Sequence, residues 1–219
     1  MRFAWTVAGD DPDFANGDAN GIDGYFYPMF DPLTTVGQLM ATQARGYARG
    51  LYAAWSWPQF TGKTPVQVAT TIRAEHKRFT DAGVTVLRVQ WNNEEHAPDK
   101  IADELEAIRA ALPKVNLSWS PEGMQGGWMG PVLAPGELPA PDGFVARVRR
   151  ARVRIVPQGY WGPQGQIHGD WAHDQVLRDL TRRGFPEDTV SIFHDGATIG
   201  SKRDAEGYVF TMGRLPWLL

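Results

Sequence analysis

Short apolar runs and amphipathic stretches take turns along this chain. Eight runs have strand character, at residues 3–9, 21–29, 50–57, 84–91, 115–120, 152–158, 190–194 and 207–212. Most are rich in Val, Ile, Phe, Tyr or Trp and are bounded by Gly, Pro, Asn or Asp. The stretches between them carry helical spacing and end signals. Thr35 and Gln38 stand at capping-box distance ahead of a helix reaching about Tyr47, with Leu39, Met40 and Gln43 around one turn. Thr64, Pro65 and Gln67 supply a cap, a first-turn proline and a second capping box. Val68, Ile72 and Phe79 then share a face, and Gly83 stops the helix. Pro98 opens a third helix, in which Ile101, Leu105, Ile108 and Leu112 recur at helical spacing before Pro113. A shorter helix, capped by Asp142, runs through Phe144 and Val148. Another begins at His173 or Asp174, buries Val176, Leu177 and Leu180, and stops at Gly184.

Strands that alternate with helices predict a parallel sheet, and eight such strands close into a (β/α)₈ TIM-type barrel. An open doubly wound sheet is the competing arrangement. No Gly-x-Gly-x-x-Gly follows the first strand, which counts against it. The segment after that strand, GDDPDFANGDANG, is turn-forming without helical periodicity, and the chain stops soon after the eighth strand at Pro216-Trp217-Leu218-Leu219. The expected barrel is therefore abbreviated, with its first and last helices short or missing. Apolar wall left bare near the closure predicts a cover, either another chain or a lost C-terminal segment. One domain over residues 1–219 is expected at this length.

Composition narrows the function. A net charge of −3 lacks the basic footprint of a nucleic-acid binder. The absence of cysteine excludes disulfides and thiolate metal sites. No apolar run approaches the ~18 residues of a membrane span. Met1 leads into the first strand without a basic and then apolar leader, so no secretory signal is expected and the default location is cytoplasmic. The unusual figure is 9 tryptophans, which call for a core or a binding role.

Several of these rings fall near strand ends, where barrel enzymes keep their sites. The expected cleft holds Asp23 and Tyr25 on strand two, Trp55 and Trp57 on strand three, and Trp91 and Asn93 on strand four. Trp119 on strand five, Gln158 and Tyr160 on strand six, and His194 on strand seven complete it. Flat rings stack on the C–H faces of sugars, while amides and carboxylates bind hydroxyls. Plugging of the barrel mouth is the plainer role for such rings. Glycoside hydrolysis also needs two carboxyl groups across the scissile bond, for which Glu94, Glu122 and Asp195 are the candidates. Glu94 is the expected general acid, with burial beside Trp91 and Trp119 raising its pKa. Asp195 or Glu122 is the expected nucleophile or base. A carboxyl separation of about 5–5.5 Å implies retention and about 6.5–9.5 Å inversion.

The Asp- and Asn-rich stretch 10–23 lacks the ligand order of a calcium loop and reads as Asx turns. His168, Asp170 and His173 fit a loop and helix cap more simply than a metal site. Neither His-Glu-x-x-His nor Gly-x-Ser-x-Gly occurs. No metal or cofactor is expected. Arg147, Arg149, Arg150, Arg152 and Arg154 read as a solvated helix face leading into a strand, or else as a patch for an acidic partner. Two Gly- and Pro-containing loops, 122–141 and 159–171, follow strands, and Gly126-Gly127-Trp128 reads as a lid over the cleft.

Asn93-Glu94 at the end of strand four resembles the large barrel clan of retaining glycoside hydrolases, in which that glutamate is the acid/base. The clan's nucleophilic glutamate at the end of strand seven is replaced here by His194-Asp195. The Trp- and Gly-rich, cysteine-free chain is also similar to glycoside-hydrolase-like barrels in tail proteins of phages that infect actinobacteria. That resemblance implies a virion tail location, tail-protein or homo-oligomeric partners, and a cell-wall polysaccharide as ligand. The polysaccharide is either cleaved or, in a non-catalytic minor tail protein, only held.

Overall fold

The computed structural model describes residues 3–6, 12, 14–19, 21–93, 97–120, 143–156, 185, 193–194 and 208–209. Its strands are β1 (Phe3–Trp5), β2 (Gly24–Pro28), β3 (Ala48–Ala54), β4 (Arg88–Asn92), β5 (Asn116–Ser120), β6 (Arg154–Ile155), β7 (Phe193–His194) and β8 (Tyr208–Val209). All pair in parallel, in the order β6-β5-β4-β3-β2-β1-β8-β7. This is the cyclic order of a (β/α)₈ barrel, cut between β6 and β7. Each of the eight runs read as strands overlaps one of these strands, although β3 begins two residues before its run and β4 ends one residue beyond its own, and strands β1–β6 form a half-barrel with helices interleaved.

The described helices are α1 (Phe14–Ala19), α2 (Val36–Ala44), α3 (Pro65–Asp81), α4 (Pro98–Ala111) and α5 (Phe144–Arg150). Both capping boxes form as the spacing predicts. Thr35 Oγ1 accepts from the Gln38 amide while Gln38 Oε1 accepts from the Thr35 amide, and Thr64 and Gln67 repeat the exchange. Val68, Ile72 and Phe79 of α3 and Ile101, Leu105 and Ile108 of α4 are buried on their predicted faces. On α2 the buried pair is Leu39 and Thr42, and Met40 is exposed instead of joining them. The helix expected near residue 173 and the loops 122–141 and 159–171 lie outside the described residues.

The segment after β1, expected to hold turns alone, contains the short helix α1. Tertiary contacts explain it. The Phe14 ring stacks on Tyr47 at 5.3 Å and meets Tyr25 edge-on at 5.4 Å, and Asp18 accepts a hydrogen bond from the Tyr47 hydroxyl. A helix this short is not stable alone, and packing supplies what propensity does not.

A parallel barrel strand is buried on both faces, and its side chains alternate between them. The outward set includes Tyr25, Tyr27, Leu51, Ala53, Val89, Trp91, Leu117, Trp119 and Ile155, packed with the buried stripes of the helices in one core. Phe3, Phe26, Ala48 and Val156 form a second, inner cluster, with Phe3 and Phe26 at 5.0 Å. Gly50 makes room for it, because a Cβ there would collide with the Phe26 ring.

Of the arginine run, Arg149, Arg150 and Arg152 are exposed, while Arg147 serves the chain's own frame. Arg147 on α5 donates to Glu106 on α4 at 3.1 and 2.6 Å and to Asp103 at 2.5 Å. Arg109 on α4 donates to the carbonyls of Ala151, Val115 and Arg152, at 2.7, 2.7 and 3.0 Å, tying the end of α5 to the start of β5. Arg152, just beyond α5, holds a left-handed backbone with φ of 52°, a conformation that disfavours residues with a Cβ. Arg152→Gly is expected to raise stability by about 1 kcal/mol, read from the urea midpoint. Arg147→Met should lower it by about 1 kcal/mol, since its partners are partly exposed.

Candidate functional site

The β3–β4–β5 register fixes what faces the barrel interior. Tyr52 lies across from Gln90 and Gln90 from Ser118; one pleat further on, Ala54 lies across from Asn92 and Asn92 from Ser120. These residues have the opposite parity to Trp91 and Trp119, so they occupy the inner face. Gln90, Asn92, Ser118 and Ser120 are all buried. Gln90 Nε2 donates to Asn92 Oδ1 at 3.0 Å, but Gln90 Oε1 and both serine hydroxyls have no hydrogen-bond partner among the described residues. Buried polar atoms are normally paired, so three unpaired ones on two successive levels of the inner face set this part of the barrel apart.

An aromatic wall stands beside the row. The Tyr52 ring lies 5.7 Å from Trp57, which meets Phe30 edge-on at 6.2 Å. Burial, with a smaller contribution from the Asp31 carboxylate, pushes the Tyr52 hydroxyl well above its ordinary pKa, keeping it neutral. Trp57 is only half-buried, on the turn that leads from β3 into the 3₁₀ segment Pro58–Phe60. Toward the N-terminal strand ends the interior closes over Phe3 and Phe26, and the Arg88 guanidinium sits 4.7 Å above the Phe3 ring.

The expected site residues separate along this inner and outer division. Trp91 and Trp119 are fully buried in the layer between sheet and helices, against Phe60 at 4.9 Å and Phe144 at 5.3 Å. Neither ring is free to stack on a ligand. Tyr25 is likewise in the outer core, edge-on to Tyr47 at 5.1 Å. Asp23 precedes β2, and its carbonyl accepts from the Ala48 amide at 2.8 Å. It is therefore at the N-terminal end of the barrel, opposite the mouth. Trp55 and Trp57 follow β3 on the mouth side, both packed against the outer core, with Trp57 also beside Tyr52. His194 lies in β7 opposite Val209. Glu94, Glu122, Gln158, Tyr160 and Asp195 lie outside the described residues.

Asn93 is fully buried and fixed by a carboxylate that sequence reasoning passed over. Glu104 on α4 accepts from Trp91 Nε1 at 2.9 Å and from Asn93 Nδ2, and the Asn93 carbonyl accepts from Trp119 Nε1 at 2.9 Å. One helix residue thus ties together the ends of β4 and β5. The signal was present, since Glu104 falls within the apolar stripe of Ile101, Leu105 and Ile108. Tyr52, Gln90, Asn92, Ser118 and Ser120 were missed as well. Their signal is a polar period of two inside strands.

No family model matches the chain, and no curated protein sequence does. Solved structures do match. Active domain 2 of a Pyrococcus furiosus chitinase, a catalytic-site mutant complexed with chito-oligosaccharides, aligns at 13% identity and TM-score 0.55 over 95% of this chain and 75% of its own. Plant beta-glucan endohydrolases with distinct substrate specificities align at 11% and 0.58, over 97% and 90%. A 2,3-dimethylmalate lyase of the PEP mutase/isocitrate lyase superfamily aligns at 12% and 0.54, over 96% and 74%. The chain thus has a TIM-barrel-like fold similar to glycoside hydrolase barrels. The lyase shows that the fold alone does not select the chemistry.

Replacing Glu104 with Ala would strand two buried donors, on Trp91 and Asn93. A loss of about 3 kcal/mol is expected from denaturant unfolding, with Glu104→Gln losing less because an acceptor oxygen remains.

Proposed function

We propose that this chain is a carbohydrate-active barrel, a glycoside hydrolase or hydrolase-like domain acting on a cell-wall polysaccharide. The observation that carries the reading is the inner row of Gln90, Asn92, Ser118 and Ser120, with its unpaired polar atoms next to the Tyr52–Trp57 wall. Sugars present just these two demands, apolar C–H faces and many hydroxyls. The likeness to chitinase and glucan-hydrolase barrels agrees with it, as does a position toward the C-terminal strand ends.

In this reading Trp57 and Tyr52 supply the stacking surface, and Asn92, Gln90 and the serines hold hydroxyls. Glu94 follows Asn92 at the same two-residue parity in the sequence and is the proposed general acid. Asp195 or Glu122 supplies the second carboxyl, as nucleophile or as the base that activates water.

The test is release of reducing ends from a panel of chitin oligomers, β-glucans and bacterial cell-wall polysaccharides, alongside binding by calorimetry. Wild type should release product, Glu94→Gln should lose at least about 100-fold in rate with its fold intact, and Trp57→Ala should weaken binding about tenfold. Binding without release by wild type would select the non-catalytic alternative, a domain that only holds glycan. Neither binding nor release would remove the carbohydrate reading.

A further inference from the structure

Opposite the mouth, on the N-terminal face of the barrel, cations gather where the chain turns into β5 and β6. Residues 147–154, RVRRARVR, place five arginines in eight positions, a density typical of polyanion-binding segments. Arg147 is taken up by Asp103 and Glu106. Arg149 and Arg152 are exposed, and so is Lys114 in the loop between α4 and β5. One side chain stitches the two loops together. Arg109 donates to the Val115 carbonyl at 2.7 Å and to the Arg152 carbonyl at 3.0 Å, while the Arg152 amide donates to the Arg149 carbonyl at 2.9 Å. Lys114, Arg149 and Arg152 therefore stand on backbone held around a fourth cation. Neither 109–116 nor 148–154 contains an Asp or Glu. We propose that this corner is a second binding surface, which holds an acidic polysaccharide by its carboxylate groups.

Two features of the free protein work against the corner as it stands. Arg152 adopts a left-handed backbone, φ 52°, where a glycine would be relaxed. It also brings its charge up to Arg109, whose pKa is lowered by burial and further by Arg152. A bound carboxylate turns that second penalty into an attraction, because guanidinium and carboxylate pair through charge-assisted hydrogen bonds. The C-termini of α4 and α5 point the same way, each supplying roughly half a negative charge. Three exposed cations with Arg109 behind them outweigh it.

The choice of a glycan rests on the carbohydrate reading and on the make-up of the two segments. Neither contains Phe, Tyr or Trp, so single-stranded nucleic acid finds no ring on which to stack its bases. A net charge of −3 disfavours a duplex, whose affinity comes from many phosphate contacts. A uronic acid polymer needs neither rings nor a broad basic face. It presents one carboxylate per sugar to cations spread over two adjacent loops.

The test is calorimetric titration of the full chain with polygalacturonate, with a single-stranded oligonucleotide, and with a neutral chitin oligomer that reads the mouth. Wild type should bind polygalacturonate, more weakly as salt is raised. Arg152→Gln and Arg152→Gly should each weaken that binding about fivefold, and Arg152→Gln with Lys114→Gln at least about tenfold. Arg152→Gly should do so while raising Tm. Arg73→Gln, on an exposed position of α3 with the same change of charge, should leave it unaltered. The chitin oligomer should bind all variants as it binds wild type. Equal losses in Arg73→Gln and Arg152→Gln would reduce the effect to net charge and overturn the proposal. Polygalacturonate binding that ignores Arg152 and Lys114, or an oligonucleotide bound more tightly through the same residues, would overturn it too. No polygalacturonate binding beside normal chitin-oligomer binding would overturn it and leave the carbohydrate reading of the mouth intact. Arg152-dependent polygalacturonate binding without any chitin-oligomer binding would uphold it and count against that reading. Binding of neither glycan would overturn both.

Discussion

Side chains along a barrel strand alternate between a helix-facing layer and an interior, and every strand here must satisfy both at once. Because neighbouring strands are locked in register, parity at one position dictates parity across the sheet. Trp91 lies across from Trp119, so both rings go outward together. Gln90 then lies across from Ser118 and Asn92 from Ser120, so the polar groups go inward together. The outer layer becomes a dry aromatic and aliphatic core under the helices. The inner face is left with groups that the described protein does not fully pair.

Glu104 enforces the same division from the helix side. By accepting from Trp91 and Asn93 it holds the end of β4 against α4, and Trp119 follows through the Asn93 carbonyl. The arginines act in parallel at other contacts, Arg147 between α4 and α5 and Arg109 at the joint of α4, α5 and β5. The polar row is thus held on strands whose outer faces are packed and braced, the kind of rigid support a recognition site needs.

The fold was legible because its signals are local. The capping boxes at Thr35–Gln38 and Thr64–Gln67, and the stripe through Ile101, Leu105 and Ile108, involve residues within a few positions of one another. The site was only half legible. Because both faces of a barrel strand are buried, the alternation of apolar and polar residues in β4 and β5 did not say which side is inward, so Trp91, Trp119 and Tyr25 read as cleft residues when they belong to the outer core. The more telling sign was the polar pair at Gln90 and Asn92 beside another at Ser118 and Ser120. Helix α1 was illegible for a different reason, since the Phe14–Tyr25–Tyr47 cluster that sustains it joins segments far apart in the chain.

The central claim is that the inner row, and not the large tryptophans of β4 and β5, meets the ligand. A crystal structure with a bound neutral oligosaccharide tests it most directly. The account predicts sugar hydroxyls within hydrogen-bonding distance of Gln90 Oε1 and of the Ser118 or Ser120 hydroxyl, with a sugar face against Trp57. A glycan stacked on Trp91 or Trp119, or bound away from the barrel mouth with the serines untouched, would contradict it.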